Sequence, residues 1–257
     1  MVSYPCYMLS RHMTLTQSSV DLTTSTGTMR CSVVRPTNDG SFPTVIFYSE
    51  IFQITEPIAR TASYLAGHGY VVLVPEVFHE LNEIGTILAY DDAGKDKGND
   101  DKFTKPLTSH DSDTAAMVEW VDAQEFCNGS IGSFGVCLGG HLACRAALHP
   151  RLQAAACLYA TDIHSSTMPA GTKPQTIDQL GNISGEIMFI WGRQDPHVSL
   201  DGRKLLYSTL NDVSVNHTWH EFNAQHAFMR DEGDRYDPEI ATLCHRLTLD
   251  LFHRALR

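Results

Sequence analysis

Apolar residues in this chain follow two rhythms. Short unbroken runs rich in β-branched and aromatic side chains recur at residues 43–48, 70–75, 130–136, 154–159, 186–191 and 216–222. Runs of that length and composition predict strands buried on both faces. Between them lie helix-length segments: Glu56–Gly67, which stops at the Gly67-His68-Gly69 punctuation, then 113–125, 139–148, which stops at His149-Pro150, 201–210, and 238 to the end. Residues 20–36 hold two further strand-like pieces around Ser25-Thr26-Gly27, the pattern of an antiparallel edge. Strands alternating with helices predict an α/β protein with a mostly parallel central sheet and helices on both faces. A length of 257 residues suits one such domain, spanning 1–257, and no internal repeat or low-complexity linker divides it.

Residues 78–109 break the rhythm. Their centre, 91–101, is polar and rich in turn formers, and the whole excursion is too long for a routine connection, so a lid or binding loop is expected. The acidic stretch has the composition of a calcium loop. Counted from Asp92, however, its sixth position is Lys97 rather than glycine and its twelfth is Phe103 rather than glutamate, so a solvated loop is expected. His217 and His220 lie three apart in a strand pattern, which points them to opposite faces and argues against a zinc pair.

Composition narrows the functional classes. Apolar residues make up 42 % of the chain, enough for a substantial core, and the net charge of −11 would repel a phosphate backbone, so no nucleic-acid partner is expected. No stretch approaches the roughly 18 apolar residues of a membrane span. The start, Met1-Val2-Ser3-Tyr4-Pro5-Cys6, has no basic region followed by an apolar run, so no secretory signal is expected. The seven cysteines (Cys6, Cys31, Cys127, Cys137, Cys144, Cys157 and Cys244) are odd in number and lack CxxC spacing. That usage suits reduced thiols, and a cytoplasmic location is the expectation.

The sharpest chemical signal is Gly135-Val136-Cys137-Leu138-Gly139, a G-x-nucleophile-x-G pattern between a predicted strand and a predicted helix. A nucleophile presented on so tight a turn needs glycines on either side, because a side chain there would strike the adjoining strand or helix. The unpaired N–H groups of the following helix turn face the same spot, which makes the Leu138 N–H a natural oxyanion donor. A structural thiol in a glycine-rich turn is the competing reading, and the strand–turn–helix context favours catalysis. A thiol nucleophile needs a base, and the base an orienting acid. His226 follows the last predicted strand, and Asp195 follows the apolar run at 186–191; Asp201 and Asp162 compete for the acid's role. The order nucleophile, acid, histidine is that of the α/β-hydrolases.

Taken together, Gly135-Val136-Cys137-Leu138-Gly139-Gly140, Gly192-Arg193-Gln194-Asp195, Gln225-His226-Ala227-Phe228 and Ser49-Glu50-Ile51-Phe52 resemble the dienelactone hydrolases, or carboxymethylenebutenolidases, over about residues 20–255. The resemblance implies an α/β-hydrolase fold and a Cys137–His226–Asp195 triad acting on an ester or enol lactone. It also implies that Glu50 gates the resting thiol, that the Ile51 N–H is the second oxyanion donor, and that Arg230 binds a substrate carboxylate. Read without it, Glu50 could be a helix-start acid and Arg230 a surface residue beside Asp231 and Glu232. The sequence departs from the family in two places. Ala227 stands where a serine commonly follows the histidine, and 91–105 lacks a second arginine, for which Lys97 or Lys102 could substitute. No metal or organic cofactor is required by this chemistry. The alternatives are a broader carboxylesterase or thioesterase, or a ligand-binding or redox-sensing protein on a hydrolase fold.

Overall fold

The computed structural model of the protein describes residues 14–169 and 171–257. The reading of the first six residues, Cys6 included, lies outside the described residues. The two strand-like pieces at 20–36 form an antiparallel hairpin of β1 (Leu15–Thr24) and β2 (Gly27–Pro36), each longer than the pattern predicts. The continuous apolar runs form β3 (Phe42–Tyr48), β4 (Val71–Pro75), β5 (Cys127–Val136), β6 (Leu152–Leu158), β7 (Glu186–Gly192) and β8 (His217–Phe222). These eight strands make one sheet in the order β1-β2-β4-β3-β5-β6-β7-β8. β2 pairs antiparallel with β4, and every pairing from β4 to β8 is parallel.

Helices cover both faces, as strands apolar on both sides require. On one face Ile58 and Leu65 of α1 (Glu56–Gly67) and Leu251, Phe252 and Leu256 of α6 (Pro238–Leu256) pack on Val45, Phe47, Val72 and Ile190. On the other, α3 (Leu107–Asp122), α4 (Leu138–Ala146) and α5 (Leu200–Asp212) set Met117, Val121, Leu142 and Leu206 against Ile46, Leu73, Ala155 and Phe189. Caps fix the ends: Pro57 opens α1, Ser199 Oγ accepts from Gly202 N at 3.1 Å, and Asp237 Oδ1 accepts from Ile240 N at 3.0 Å.

Within the 78–109 segment, the stretch 91–101 is not the solvated loop expected of it. It lies in a helix, α2 (Asp92–Thr104), capped by Asp91, and α3 begins at Leu107, six residues before the start the pattern predicts. The side of α2 that packs inward consists of Gly94, Gly98, Asp101 and Lys102, so no apolar period betrays it. Two glycines cost a helix about 1 kcal/mol each relative to alanine, and α2 is held instead by tertiary contacts. Asp91 caps Gly94 N at 2.8 Å, Asn82 Nδ2 donates to Asp101 Oδ2 at 2.8 Å, and Lys102 pairs with Asp162 at 3.1 Å.

Candidate active site

Strand order reverses between β3 and β5, which are neighbours although one leads by α1 to β4 and the other by α4 to β6. Such a switch point leaves a crevice at the carboxyl ends of the strands. Glu50 and Ile51 follow β3, Cys137 follows β5, Asp195 follows β7 and His226 follows β8, so one rim collects all five.

The elbow at Cys137 is built by exclusion. Cys137 has φ 58° and ψ −122°, a left-handed conformation that L-residues adopt at a cost. A Cβ at Gly135 would lie 1.8 Å from the Gly139 carbonyl oxygen, and one at Gly139 would lie 2.0 Å from that of Tyr48. Glycine at both positions therefore lets α4 start directly against β3 and β5. Cys137 N donates to Leu158 O at 3.1 Å, and Thr161 N donates to Cys137 O at 3.3 Å, which ties the strained residue to β6 and the loop beyond it. Leu138 is the first residue of α4, so its N–H has no acceptor within the helix.

The acid and histidine loops are laced together by backbone. Arg193 N donates to Phe222 O at 2.7 Å and Gln194 N to Ala224 O at 2.9 Å, and a Cβ at Gly192 would fall 2.5 Å from Ala224 O. Asp195 Oδ2 then meets His226 Nδ1 at 2.7 Å, while Oδ1 accepts the His197 backbone N–H at 2.8 Å. Both Asp195 and His226 are buried, and the competing acids are accounted for elsewhere. Asp162 pairs with Lys102, and Asp201 stands exposed in the first turn of α5. Burial disfavours a charged His226, but the charge of Cys137 and hydrogen bonds with Asp195 and Cys137 overcome it and push its pKa up to about 10. The half-buried Cys137 faces the same cavity as the imidazole.

Glu50 is 3 % exposed and is no helix-start acid, since α1 begins at Glu56. Burial raises its pKa, countered by the positive charges of Arg230 and His226. Arg230 Nη1 stands 3.7 Å from Glu50 Oε2, within ion-pair range but too far for a hydrogen bond, and that oxygen has no hydrogen-bond partner. The alternative of a surface arginine beside Asp231 and Glu232 holds only in part: Arg230 Nε donates to Glu232 O at 3.0 Å, but Arg60 takes both carboxylates and the Arg230 side chain is largely buried. The Arg230 guanidinium instead lies over the Tyr90 ring, 4.2 Å from its centroid.

These groups open into a cavity of about 510 Å³ lined by Glu50, Ile51, Cys137, His226 and Arg230, with Phe52, Tyr90, Thr161, Ala227 and Arg235 also in the wall. α2 contributes Asp92, Lys95, Asn99 and Lys102, so the 78–109 excursion borders the site as a helix. Of the two candidate lysines, Lys102 lines the cavity, whereas Lys97 turns away to Asp101 at 2.5 Å. Sequence reasoning missed Tyr90, Lys95, Asn99, Arg235 and His197. The His197 ring stands edge to face with His226 at 4.6 Å, and burial followed by the nearby His226 charge lowers its pKa. Its place two residues after Asp195 was the only available signal.

Among the described residues, one group has metal-ligand spacing: His79, Glu80 and Asp113, whose ligand atoms lie within 4.8 Å of one another. An ammonium already fills it. The fully buried Lys105 Nζ donates to Glu80 Oε2 and Asp113 Oδ2, each at 2.6 Å, and to Val77 O at 2.8 Å. Among the described residues no helix is long and apolar enough to cross a membrane.

A mostly parallel sheet carrying a carboxylate–histidine pair at the same rim as a strained strand–turn–helix elbow has the architecture of an α/β-hydrolase. Within that class the chain belongs to the dienelactone hydrolase family, whose family model matches residues 29–256. A protein of Saccharomyces cerevisiae provisionally named a carboxymethylenebutenolidase is 40 % identical, over 95 % of this chain and 94 % of its own. Carboxymethylenebutenolidase 1 of Cupriavidus pinatubonensis is 25 % identical, over 84 % and 88 % respectively. In architecture the chain is similar to a provisionally assigned dienelactone hydrolase of Klebsiella pneumoniae, with TM-score 0.81 and 21 % identity over 94 % of this chain and 99 % of that one. The protein is accordingly a hydrolase of the carboxylic ester and lactone class.

Proposed function

We propose that the protein hydrolyses an enol lactone or comparably activated ester through a thioester on Cys137. The observation that carries this reading is that Cys137, on a strained elbow, shares one cavity wall with His226, which Asp195 holds at 2.7 Å. The Cys137 thiolate attacks the carbonyl carbon and forms the C–S bond. The displaced electron pair rests on the oxygen, between the N–H groups of Ile51 and Leu138. Collapse breaks the ring C–O bond, and the leaving enolate takes its proton from the His226 imidazolium. Water then attacks the thioester, giving one proton to His226 as the C–S bond breaks and the acid leaves. Asp195, holding Nδ1, directs Nε2 at the sulfur throughout.

An enol leaving group suits this order of events. Once released it tautomerises to the ketone, so a tethered product does not reclose before water arrives. Arg230 supplies a cation in the wall for an anionic substrate, and its Glu50 partner is the carboxylate it would exchange. Glu50, buried in the same cavity wall, would gate the resting thiol when its carboxylate is ionised, by opposing a second negative charge nearby.

The test is a comparison of cis- and trans-dienelactone with short aryl esters by kcat/KM, using wild type and Cys137→Ala. The reading expects the lactones to be preferred and the variant to be inactive on both while folding normally. Full turnover by Cys137→Ala would refute it, and a preference for simple esters would move the substrate to the broader carboxylesterases.

A further inference from the structure

Helix α2 does more than border the cavity. A Cβ built on Gly98 would lie 2.6 Å from the Ile51 carbonyl oxygen and 2.9 Å from the Ile51 Cβ, so the helix rests directly on Ile51, at its side chain and at the carbonyl one bond past its Cα. No side chain intervenes. The same helix is anchored at positions around that contact. Asp101, buried, accepts from Asn82 at 2.8 Å, Lys102 reaches Asp162 at 3.1 Å, and a Cβ on Gly94 would lie 2.1 Å from the Ala89 carbonyl oxygen. Helix and turn therefore cannot move independently by more than a fraction of an ångström without losing packing or colliding.

We propose that α2 is a positioning element for acyl transfer: Gly98, seated on the Cβ and carbonyl of Ile51, fixes that residue and so the turn that presents its N–H to the developing oxyanion. The inference rests on the reading of Ile51 as an oxyanion donor given above. Its physical content is that an oxyanion donor works only when held in place before charge develops. The turn after β3 is bonded on either side of Ile51, by Gln53 N to Glu50 O at 3.2 Å, Leu88 N to Phe52 O at 3.1 Å and Thr55 N to Gln53 O at 2.9 Å, with Gln53 left-handed at φ 69°, but none of these bonds holds the N–H or carbonyl of Ile51 itself. The missing restraint comes from α2. This also gives the helix's glycine a reason to be present: alanine would favour the helix by about 1 kcal/mol on propensity alone but would push the turn aside.

The test is Gly98→Ala, assayed by two reactions of the same thiol. Acylation by an aryl ester in a single turnover needs the oxyanion hole, whereas alkylation by iodoacetamide displaces iodide from carbon and forms no oxyanion. Acylation is expected to slow by about 10- to 100-fold, with KM changed by less than about threefold and alkylation by less than about twofold. Acylation at the wild-type rate in a folded variant would overturn the proposal. So would acylation and alkylation falling together, which would place the damage at the thiol. Should Gly98→Ala not fold, Asp101→Ala, at a residue that does not line the cavity, loosens the helix from Asn82, and a smaller loss of acylation with unchanged alkylation is expected; unchanged acylation there also overturns it. Failure of the wild type itself to acylate at Cys137 would instead refute the underlying acyl-transfer reading.

Discussion

Asp195→Asn isolates the part of the relay whose geometry is best defined. In the wild type Oδ2 accepts from His226 Nδ1 at 2.7 Å and Oδ1 accepts the His197 N–H at 2.8 Å. In the variant the amide oxygen must face the His197 N–H, because the amide NH₂ cannot accept that bond. The NH₂ then faces Nδ1 and turns it into an acceptor, which places the imidazole proton on Nε2, toward Cys137. The neutral histidine is left in a tautomer that cannot accept a proton from the sulfur. Size and shape are unchanged, so stability should alter little while chemistry fails. A comparable wrong-tautomer substitution in a serine triad lowers kcat by about 10⁴, or roughly 5.5 kcal/mol in the barrier. A thiol ionises more readily than a hydroxyl, so a loss of about 10²- to 10³-fold in kcat is expected here. The assay is kcat for an activated aryl ester between pH 6 and 10, with circular dichroism to verify the fold. The same variant should also lower the titration of His226 by NMR, since the Asp195 hydrogen bond is one of the causes that raise it. Activity within about threefold of wild type would refute the assignment of Asp195.

Other predictions follow from the same site. His226 is raised from 6.5 to about 10, so it is the charged form that the fold favours; its stabilising contribution is complete below about 6.5 and is lost as pH rises through 10. The pH–rate profile should fall on its alkaline side near 10, as the acid for the leaving group is lost, and in Cys137→Ala the His226 titration should move down by NMR; a fixed value would refute the coupling. Glu50→Ala should speed alkylation of Cys137 by iodoacetamide in the absence of substrate, and unchanged labelling would remove the gating role. Lys105→Ala strips the cation from Glu80 and Asp113 and should cost about 3–5 kcal/mol, roughly 6–9 °C in Tm for a chain of this size. Added Mn²⁺ or Zn²⁺ should restore part of that loss through His79, Glu80 and Asp113; a Tm drop under about 2 °C would contradict the ion-pair reading.

Much of this was legible from residues alone, and the remainder for definable reasons was not. The strands announce themselves because a parallel sheet buried on both faces demands continuous runs such as Val71-Val72-Leu73-Val74, all buried. The elbow is visible because Gly135 and Gly139 are imposed by backbone contact, and that constraint leaves a mark in sequence. The structure brings Asp195 and His226 together, as chain order led us to expect. Helix α2 leaves no such mark: its inner side is glycine and paired charge, and its stability lies in contacts with Asn82, Ile51 and Asp162, residues distant in sequence. Glu50 and Arg230 were reachable only by resemblance, because an ion pair spanning 180 residues has no local pattern. Lys97 and Lys102 could not be told apart on composition; which one reaches the cavity depends on their angular positions around a helix that the pattern did not reveal.

The account turns on where the acyl group is held between the two chemical steps. Rapid acid quench of the enzyme with a lactone or aryl ester, followed by peptide mass spectrometry, measures this directly. The peptide containing Cys137 should carry the mass of the acyl group during turnover, and the adduct should disappear as substrate is exhausted. Turnover with that peptide unmodified, or with the acyl group on another residue, would contradict the account.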